Sequence, residues 1–253
     1  MATRRKDQAP LALFDLDFTL LPQDTLFLFA NQVIRHQPWR IYYLLFFVPA
    51  VFLHQAGLLS TVGLKRAFLS LLWRLPGSEV ERLATKLARR SVRPALYDFV
   101  EEHLAECRGL GMRLVLVTAS PDLYSEAIAR ELGFDFCLAS RFERSTRMPL
   151  FPRARGPNNK GERKTEALQQ LFPDIGPAGD TPRKNWRAYS DSSADLPMLA
   201  MAEHCYVVHP GKRLQGIAVD SRWTILTPAR PYSSRVALIW MLLRQLCGLY
   251  KIP

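Results

Sequence analysis

Short apolar runs that end in small polar residues recur along the chain and are separated by amphipathic stretches. The first run, Leu11 to Leu16, has the length and composition of a buried strand. Runs of the same kind predict up to five more strands, in MRLVLVTASP, FDFCLAS, NWRAYS, HCYVVHP and RWTILTP. Between them lie helical patterns such as DLYSEAIARELGF, in which Gly133 marks the end of the helix. Strands that alternate with helices in this way predict a parallel α/β sheet.

The spacing of apolar residues is helical through most of the segment from Gln23 to about Leu110, with Ser78 as a predicted N-cap. This block is too long for a single crossover helix between two parallel strands. Residues 141–164 are rich in Arg, Lys and Pro and predict a long, partly flexible connection. The predicted units are an α/β core formed by residues 1–23 and 111–230, an inserted helical cap over residues 24–110, and an apolar C-terminal helix within residues 231–253.

Basic residues outnumber acidic ones, with 34 Lys and Arg against 23 Asp and Glu, which gives a formal net charge of +11. An excess of this kind favours anionic partners: phosphorylated metabolites, nucleic acid or an anionic membrane surface. No motif that reads DNA or RNA is evident, so no nucleic-acid partner is expected. The four cysteines lack the spacing of a zinc site or a redox pair, and the first apolar run is too short for a signal peptide. We therefore expect a cytoplasmic protein with reduced cysteines.

Polar side chains follow three of the predicted strands and flank the start of one predicted helix. They are Asp15 and Asp17 after the first strand, Thr118 and Ser120 after the second, Asp191 and Asp195 after WRAYS, and Lys160 and Lys164 in KGERKTEALQQLF. Because ligands bind parallel sheets outside the carboxyl ends of the strands, these side chains are predicted to meet at one edge. Carboxylates, hydroxyls and a lysine in one place suit phosphoryl transfer, which needs a nucleophile, a cation and donors for phosphate oxygens. Without the other polar residues, Asp15 and Asp17 are explained equally well as a catalytic pair and as solvated carboxylates at the end of a strand.

Four stretches, DLDFTLL, LVTASP, KGERKTEAL and YSDSSADLPML, resemble the four motifs of the haloacid dehalogenase-like phosphatases, and they occur in the same order. The large insertion between the first two is similar to the branch that contains phosphoserine phosphatase and the bacterial phosphatidylglycerophosphatase C (subfamily IB). The resemblance covers residues 11 to about 210. It implies an α/β fold with a doubly wound parallel sheet, a Rossmann-like hydrolase core, and an inserted helical cap.

The resemblance also implies catalytic roles. Asp15 would attack phosphorus and form an aspartyl-phosphate, and Asp17 would protonate the leaving oxygen and later deprotonate water. Thr118 and the backbone amide of Ala119 would bind phosphate oxygens. Lys164 would neutralise charge beside the nucleophile, with Lys160 as the alternative.

The implied cofactor is Mg²⁺. Its protein ligands would be Asp15, the backbone carbonyl of Asp17, and Asp191. Asp195 would hold a metal-bound water or the lysine; the other explanation is an acidic residue favoured in the first turn of a helix. The sequence departs from the family motif at Phe18, where the motif has glycine. A ring there is expected to narrow the phosphate site or to pack under the cap.

Residues 41–64 contain no Asp, Glu, Lys or Arg and are long enough to span a bilayer. A single span is not expected, because Asp15 and Asp191 lie on either side of the segment and must meet in one site. Two explanations remain open: a shallow hairpin or helix pair in the membrane interface, and an ordinary cap core. For the C-terminal segment, Ser233 to Tyr250, core packing, a dimer contact and membrane contact all remain open.

The function expected from these features is Mg²⁺-dependent hydrolysis of a phosphomonoester, with a lipid phosphate such as phosphatidylglycerophosphate as the first candidate substrate. The protein would then lie in the cytoplasm, on the inner face of the membrane. The alternatives are a soluble phosphatase for a substrate such as phosphoserine, and a phosphotransferase with an alcohol acceptor. A non-enzymatic basic binding protein is a further alternative, and the oligomeric state is open.

Overall fold

Six parallel strands form one sheet in the computed structural model, which describes residues 9–175 and 182–251. They are β1 (Leu11–Phe14), β2 (Arg113–Pro121), β3 (Phe136–Ser140), β4 (Arg183–Ser190), β5 (Ala202–Val208) and β6 (Thr224–Leu226). Their order is β3-β2-β1-β4-β5-β6, so β1 lies between β2 and β4. The strand order reverses at this point, where open α/β sheets form their binding crevice. The predicted doubly wound parallel sheet is confirmed.

Ten α-helices lie within the described residues, and all but the last precede the final strand. They are α1 (Thr25–His36), α2 (Leu44–Gln55), α3 (Thr61–Phe68), α4 (Gly77–Leu87), α5 (Asp98–Gly109), α6 (Asp122–Leu132), α7 (Glu162–Leu171), α8 (Leu196–Leu199), α9 (Lys212–Asp220) and α10 (Arg235–Leu246). Among them α1 to α5 follow β1 directly, which agrees with the predicted helical insertion. None of the described helices combines the length and the apolar composition needed to cross a bilayer.

Strand β1 is buried along its whole length because both faces of the sheet are covered. Leu11 and Leu13 pack into one apolar cluster, and Ala12 and Phe14 pack into the other. This alternation follows from the two-residue period of a strand. The continuous apolar run that predicted a buried strand is therefore explained by two separate cores.

The helix that follows Pro76 differs from its prediction in two ways. It begins at Gly77, with Pro76 in the capping position, so Ser78 lies inside the first turn and is not the N-cap. The helical pattern then breaks after Leu87 into a π-helical turn and a 3-10 turn that contains Pro94. Proline lacks the N–H that a continuing helix needs, which explains why α4 and α5 are separate helices.

The predicted connection over residues 141–164 folds back on itself and packs against the helical insertion. Phe142 pairs with Ala154 in an antiparallel bridge, and Arg147 pairs with Pro76. Met148, a residue of this loop, is buried, and its backbone exchanges hydrogen bonds with Arg74 and Leu75. The loop is thus held by backbone hydrogen bonds that its composition did not indicate.

The division of the chain into core, cap and C-terminal helix stays a prediction. Helix α5 packs against β2, and α1 packs against α10. The predicted limits also include residues 1–8, 176–181 and 252–253, which lie outside the described residues.

Candidate active site

The first pair of aspartates lies where β1 leaves the sheet between its two neighbours. The backbone N–H of Asp15 donates a hydrogen bond of 3.0 Å to the carbonyl of Tyr189 on β4. The Asp15 side chain is buried, and the loop that follows brings Asp17 close to Ser120 at the end of β2. The strand ends predicted to meet do so at this edge of the sheet.

A buried lysine balances the charge of the first aspartate. Lys164, only 2% exposed, places its Nζ 2.6 Å from Oδ1 of Asp15 and 2.7 Å from Oδ2 of Asp195. Burial opposes the charged form of Lys164, but the two carboxylates outweigh it and raise the pKa of the lysine. Lys160 is exposed instead. Of the two lysines left open by the sequence, Lys164 is therefore the one next to Asp15.

Thr19 joins two carboxylates and was not singled out from the sequence. Its Oγ1 donates to Oδ2 of Asp15 at 3.0 Å and lies 3.3 Å from Oδ1 of Asp191. The same oxygen accepts the backbone N–H of Asp191 at 3.0 Å. Thr19 stands two residues after Asp17 in the stretch DLDFTLL, and its place in this motif is the sequence signal that could have identified it. Its position ties the end of β1 to the end of β4.

Hydrogen bonds fix the side chain of Asp17 on both oxygens. Oδ1 accepts the backbone N–H of Thr25 at 2.6 Å, and Oδ2 accepts the hydroxyl of Ser120 at 2.5 Å. Thr25 is the first residue of α1, and Asp24 caps this helix by accepting the N–H of Leu26. Asp17 is thus held between β2 and the first inserted helix.

At the end of β2, Thr118 is buried, and its Oγ1 accepts the backbone N–H of Ser120 at 3.0 Å. Because this bond uses a lone pair, the hydroxyl proton of Thr118 is left to donate. The carbonyl of Ala119 accepts hydrogen bonds from Nζ of Lys65 at 2.5 Å and from the hydroxyl of Ser140 at 2.6 Å. Lys65 belongs to α3, so the helical insertion contacts this loop directly.

Two of the carboxylates at the sheet edge, Asp15 and Asp191, have raised pKa values. Burial raises the pKa of Asp15 to about 6, although Lys164 counteracts it. Burial and the charge of Asp15 raise the pKa of Asp191 to about 8. A divalent cation between these two groups would remove this penalty, because it favours their charged forms.

The donor set fits Mg²⁺ with few protein ligands. Within the described residues, no three His, Cys, Asp or Glu side chains come together as a complete metal site. Two carboxylates and a backbone carbonyl nevertheless match the preference of Mg²⁺, which keeps several waters and phosphate oxygens. Asp195 is committed elsewhere, because its Oδ2 accepts both Lys164 and the hydroxyl of Ser190 at 2.7 Å. Of its two predicted tasks, the geometry therefore favours holding the lysine.

Phe18 adopts a left-handed backbone conformation with a φ of 60°, which is costly for a residue with a side chain. The glycine of the related motif would adopt it without this cost. Together with Asp191, Arg230, Arg235 and Leu238, Phe18 lines a surface depression of about 480 Å³. The ring therefore forms part of the rim beside the carboxylates.

Comparisons with known proteins agree with this geometry. The model of the haloacid dehalogenase-like hydrolase family matches residues 12–200. A probable phosphatase of Mycobacterium tuberculosis is 27% identical over 88% of this chain and 77% of its own length. A solved protein of unknown function from Bordetella pertussis has a TM-score of 0.71 at 25% identity, over 87% of this chain and 98% of that one. A substrate-bound phosphoserine phosphatase shares the fold, with a TM-score of 0.55 at 19% identity over 87% and 93% of the two chains.

Proposed function

The chain belongs to the haloacid dehalogenase-like hydrolase family, and on that premise we propose that it is a Mg²⁺-dependent phosphomonoester hydrolase acting through an aspartyl-phosphate. The observation that supports this most strongly is the buried network of Asp15, Lys164, Asp195, Thr19 and Asp191. Such a network concentrates a nucleophile and its neutralising cation at the switch point of the sheet.

In the first step, a carboxylate oxygen of Asp15 attacks phosphorus while the bond from phosphorus to the leaving oxygen breaks. Asp17 gives its proton to that oxygen, so the leaving group departs as an alcohol. In the second step, water attacks the phosphoryl group and Asp17 takes its proton. The bond between phosphorus and Asp15 breaks, which releases phosphate and restores both aspartates.

The remaining side chains bind and orient. Lys164 offsets the negative charge that collects around Asp15, and the hydroxyl of Thr118 donates to a phosphate oxygen, as does the amide of Ala119. Thr25 and Ser120 keep Asp17 in one orientation through the bonds to its two oxygens. Mg²⁺, when bound by Asp15, the carbonyl of Asp17 and Asp191, would neutralise phosphate charge. Asp195 acts on this site through Lys164.

The first candidate substrate is a lipid phosphate such as phosphatidylglycerophosphate, met at the inner face of the membrane by a cytoplasmic protein. Large apolar side chains exposed on the helical insertion, Leu45 and Phe52 among them, support this choice. The insertion also contacts the loop at Thr118 to Ser120, here called the phosphate loop, because Lys65 donates to the carbonyl of Ala119. An element that selects substrates would make such a contact. The second candidate is a soluble phosphate such as phosphoserine, which the shared fold with phosphoserine phosphatase supports.

The test is phosphate release, with and without Mg²⁺, from phosphatidylglycerophosphate, phosphatidic acid, phosphoserine and an aryl phosphate. Asp15→Asn is the control, because it removes the nucleophile with little change in shape. Release that needs Mg²⁺ and is lost in the control supports a phosphatase, and the preferred substrate decides between lipid and soluble phosphates. Release that persists in Asp15→Asn contradicts the proposed mechanism. Transfer to an added alcohol instead of water would identify a phosphotransferase, and no turnover at all would favour a binding protein.

A further inference from the structure

Helix α10 presents apolar side chains on its outer face as well as on its inner one. Val236, Ile239, Trp240 and Leu243 are all exposed, Val236 by 75% and Trp240 by 64%. Their spacing places them on one stripe of the helix. The opposite side, which includes Met241, packs into the protein. The outer stripe therefore has no partner within the described chain.

A second exposed apolar stripe lies on the helical insertion. Its residues begin in the 3-10 turn at Pro38–Tyr43 and continue along α2; they are Trp39, Ile41, Leu45, Val48 and Phe52. Leu45 is 74% exposed and Phe52 is 66% exposed. Isolated apolar residues on a surface are common, but repeated stripes of large ones mark an interaction site.

The two stripes belong to elements that adjoin each other. The hydroxyl of Tyr43, just before α2, donates to the carbonyl of Leu246 at the end of α10. Tyr250, which follows α10, is held by Asn31 of α1 through two hydrogen bonds of 3.1 Å. The C-terminal helix is thus fastened to the insertion, and both outer stripes remain exposed.

The two segments of the chain that carry the stripes contain basic residues and no acidic ones. No Asp or Glu occurs between Asp24 and Glu79 or after Asp220 in this sequence. The exposed cations in these two segments are Arg35, Arg74, Arg222, Arg230, Arg235, Arg244 and Lys251. A symmetric contact with a second copy would set these cations against each other, with no acid within the two segments to pair them. An anionic bilayer supplies both the apolar layer and the negative charge.

We propose that the outer faces of α2, with its preceding 3-10 turn, and of α10 form one surface that binds an anionic lipid bilayer. Tryptophan on each stripe suits the boundary between headgroups and acyl chains. The depression beside Asp191 is lined by Leu238 and Arg235 of the same α10, so the bound helix would bring headgroups to the mouth of the site. The link to lipid hydrolysis rests on the proposed function. The proposal that this surface binds a bilayer does not depend on that function.

The test is co-sedimentation with vesicles of phosphatidylcholine alone or with added phosphatidylglycerol. Wild type is expected to bind the anionic vesicles, and to bind less at high salt because screening weakens its cationic contacts. The double variants Ile239→Ser/Trp240→Ser and Leu45→Ser/Phe52→Ser are each expected to bind at least about tenfold more weakly, since they remove large apolar side chains. The matched control is Leu110→Ser/Val219→Ser, which removes two exposed apolar residues elsewhere and is expected to bind like wild type.

Two further measurements distinguish membrane binding from catalytic activity. All three double variants should hydrolyse a soluble aryl phosphate at the wild-type rate, and Asp15→Asn should still bind vesicles. Equal binding to neutral and anionic vesicles, or wild-type binding by either stripe variant, overturns the proposed surface. A wild-type dimer that the stripe variants convert to monomers also overturns it, because a second copy would then cover the stripes. Vesicle binding by a wild-type protein that hydrolyses nothing would overturn the proposed function alone.

Discussion

At the scale of single residues, the buried Lys164 matters for stability as well as for chemistry. Lys164→Met leaves Asp15 and Asp195 buried with no cation between them. Breaking a buried pair on one side costs about 3 kcal/mol, so the free energy of unfolding should fall by roughly that amount. Denaturant unfolding measures the loss, and phosphate release should vanish in parallel. Lys160→Met, which changes an exposed lysine, should change neither, and an equal effect of both variants would contradict the assigned pair.

The left-handed backbone of Phe18 makes a second prediction at this scale. Phe18→Gly relieves the strain of a φ near 60° and should raise the free energy of unfolding by about 1 kcal/mol. Phe18→Ala keeps a Cβ and therefore most of the strain, so it should bring no such gain. Thermal unfolding of the two variants measures the difference. A glycine variant no more stable than the alanine variant would contradict the assigned strain, because both variants lack the ring and differ only in the Cβ.

The pKa of Asp24 predicts how stability changes with pH. Burial, and then the charge of Asp17, raise the pKa of Asp24 from 3.8 to about 7. The folded state therefore binds this proton more tightly than the unfolded state does. The corresponding stability is present below pH 4 and is lost as the pH rises towards 7. Asp24→Asn can still cap α1 but carries no titrating proton. Its free energy of unfolding, measured at several pH values, should therefore fall less steeply between pH 4 and 7 than that of the wild type. If the free energy of unfolding of the variant falls as steeply as that of the wild type, other groups cause the pH dependence.

At the scale of secondary-structure elements, α3 is tied to the phosphate loop by one side chain. Nζ of Lys65 donates to the carbonyl of Ala119 and to Oδ1 of Asn158. Lys65→Met removes both bonds and should loosen the insertion over the site. We expect KM for the phosphorylated substrate to rise by about tenfold, with a smaller change in kcat, because positioning suffers more than chemistry.

Steady-state kinetics with the preferred substrate check this link. The matched control is Lys86→Met, which removes a lysine of the insertion for which the described structure shows no such bonds. A Lys65→Met enzyme with wild-type KM and a strongly reduced kcat would contradict a positioning role. It would indicate instead that Lys65 acts on the reacting group.

At the scale of the whole molecule, the sequence predicted the parts of the site that local pattern determines. Asp15 and Asp191 were expected at one edge because parallel strands align their carboxyl ends. Lys65 was missed, because it acts through hydrogen bonds to residues more than fifty positions away. Thr19 ends the DLDFT stretch, but its link to the distant Asp191 is likewise absent from the local pattern. No periodicity reports such long-range bonds. The Ser78 cap was wrong because proline at position 76 set the start of α4 before the serine.

The exposed face of α10 could not be predicted from the sequence either. Large apolar residues occur on both the buried and the exposed side of this helix, so the pattern predicts a helix but not which face is buried. The packing of Met241 into the core, the hydrogen bond from Tyr43 to Leu246 and the anchoring of Tyr250 fix the face that packs inwards. Tertiary contacts therefore decide which side chains of this helix remain exposed.

The central claim, nucleophilic attack by Asp15, is tested most directly by trapping the intermediate. Asp17→Asn removes the group that activates water, while an aryl phosphate needs no acid to release its leaving group. A single turnover with Mg²⁺, quenched in acid and analysed by peptide mass spectrometry, should show phosphate bound to Asp15. Release of the aryl alcohol without any phosphate on Asp15 would show that water attacks directly, and would contradict the account.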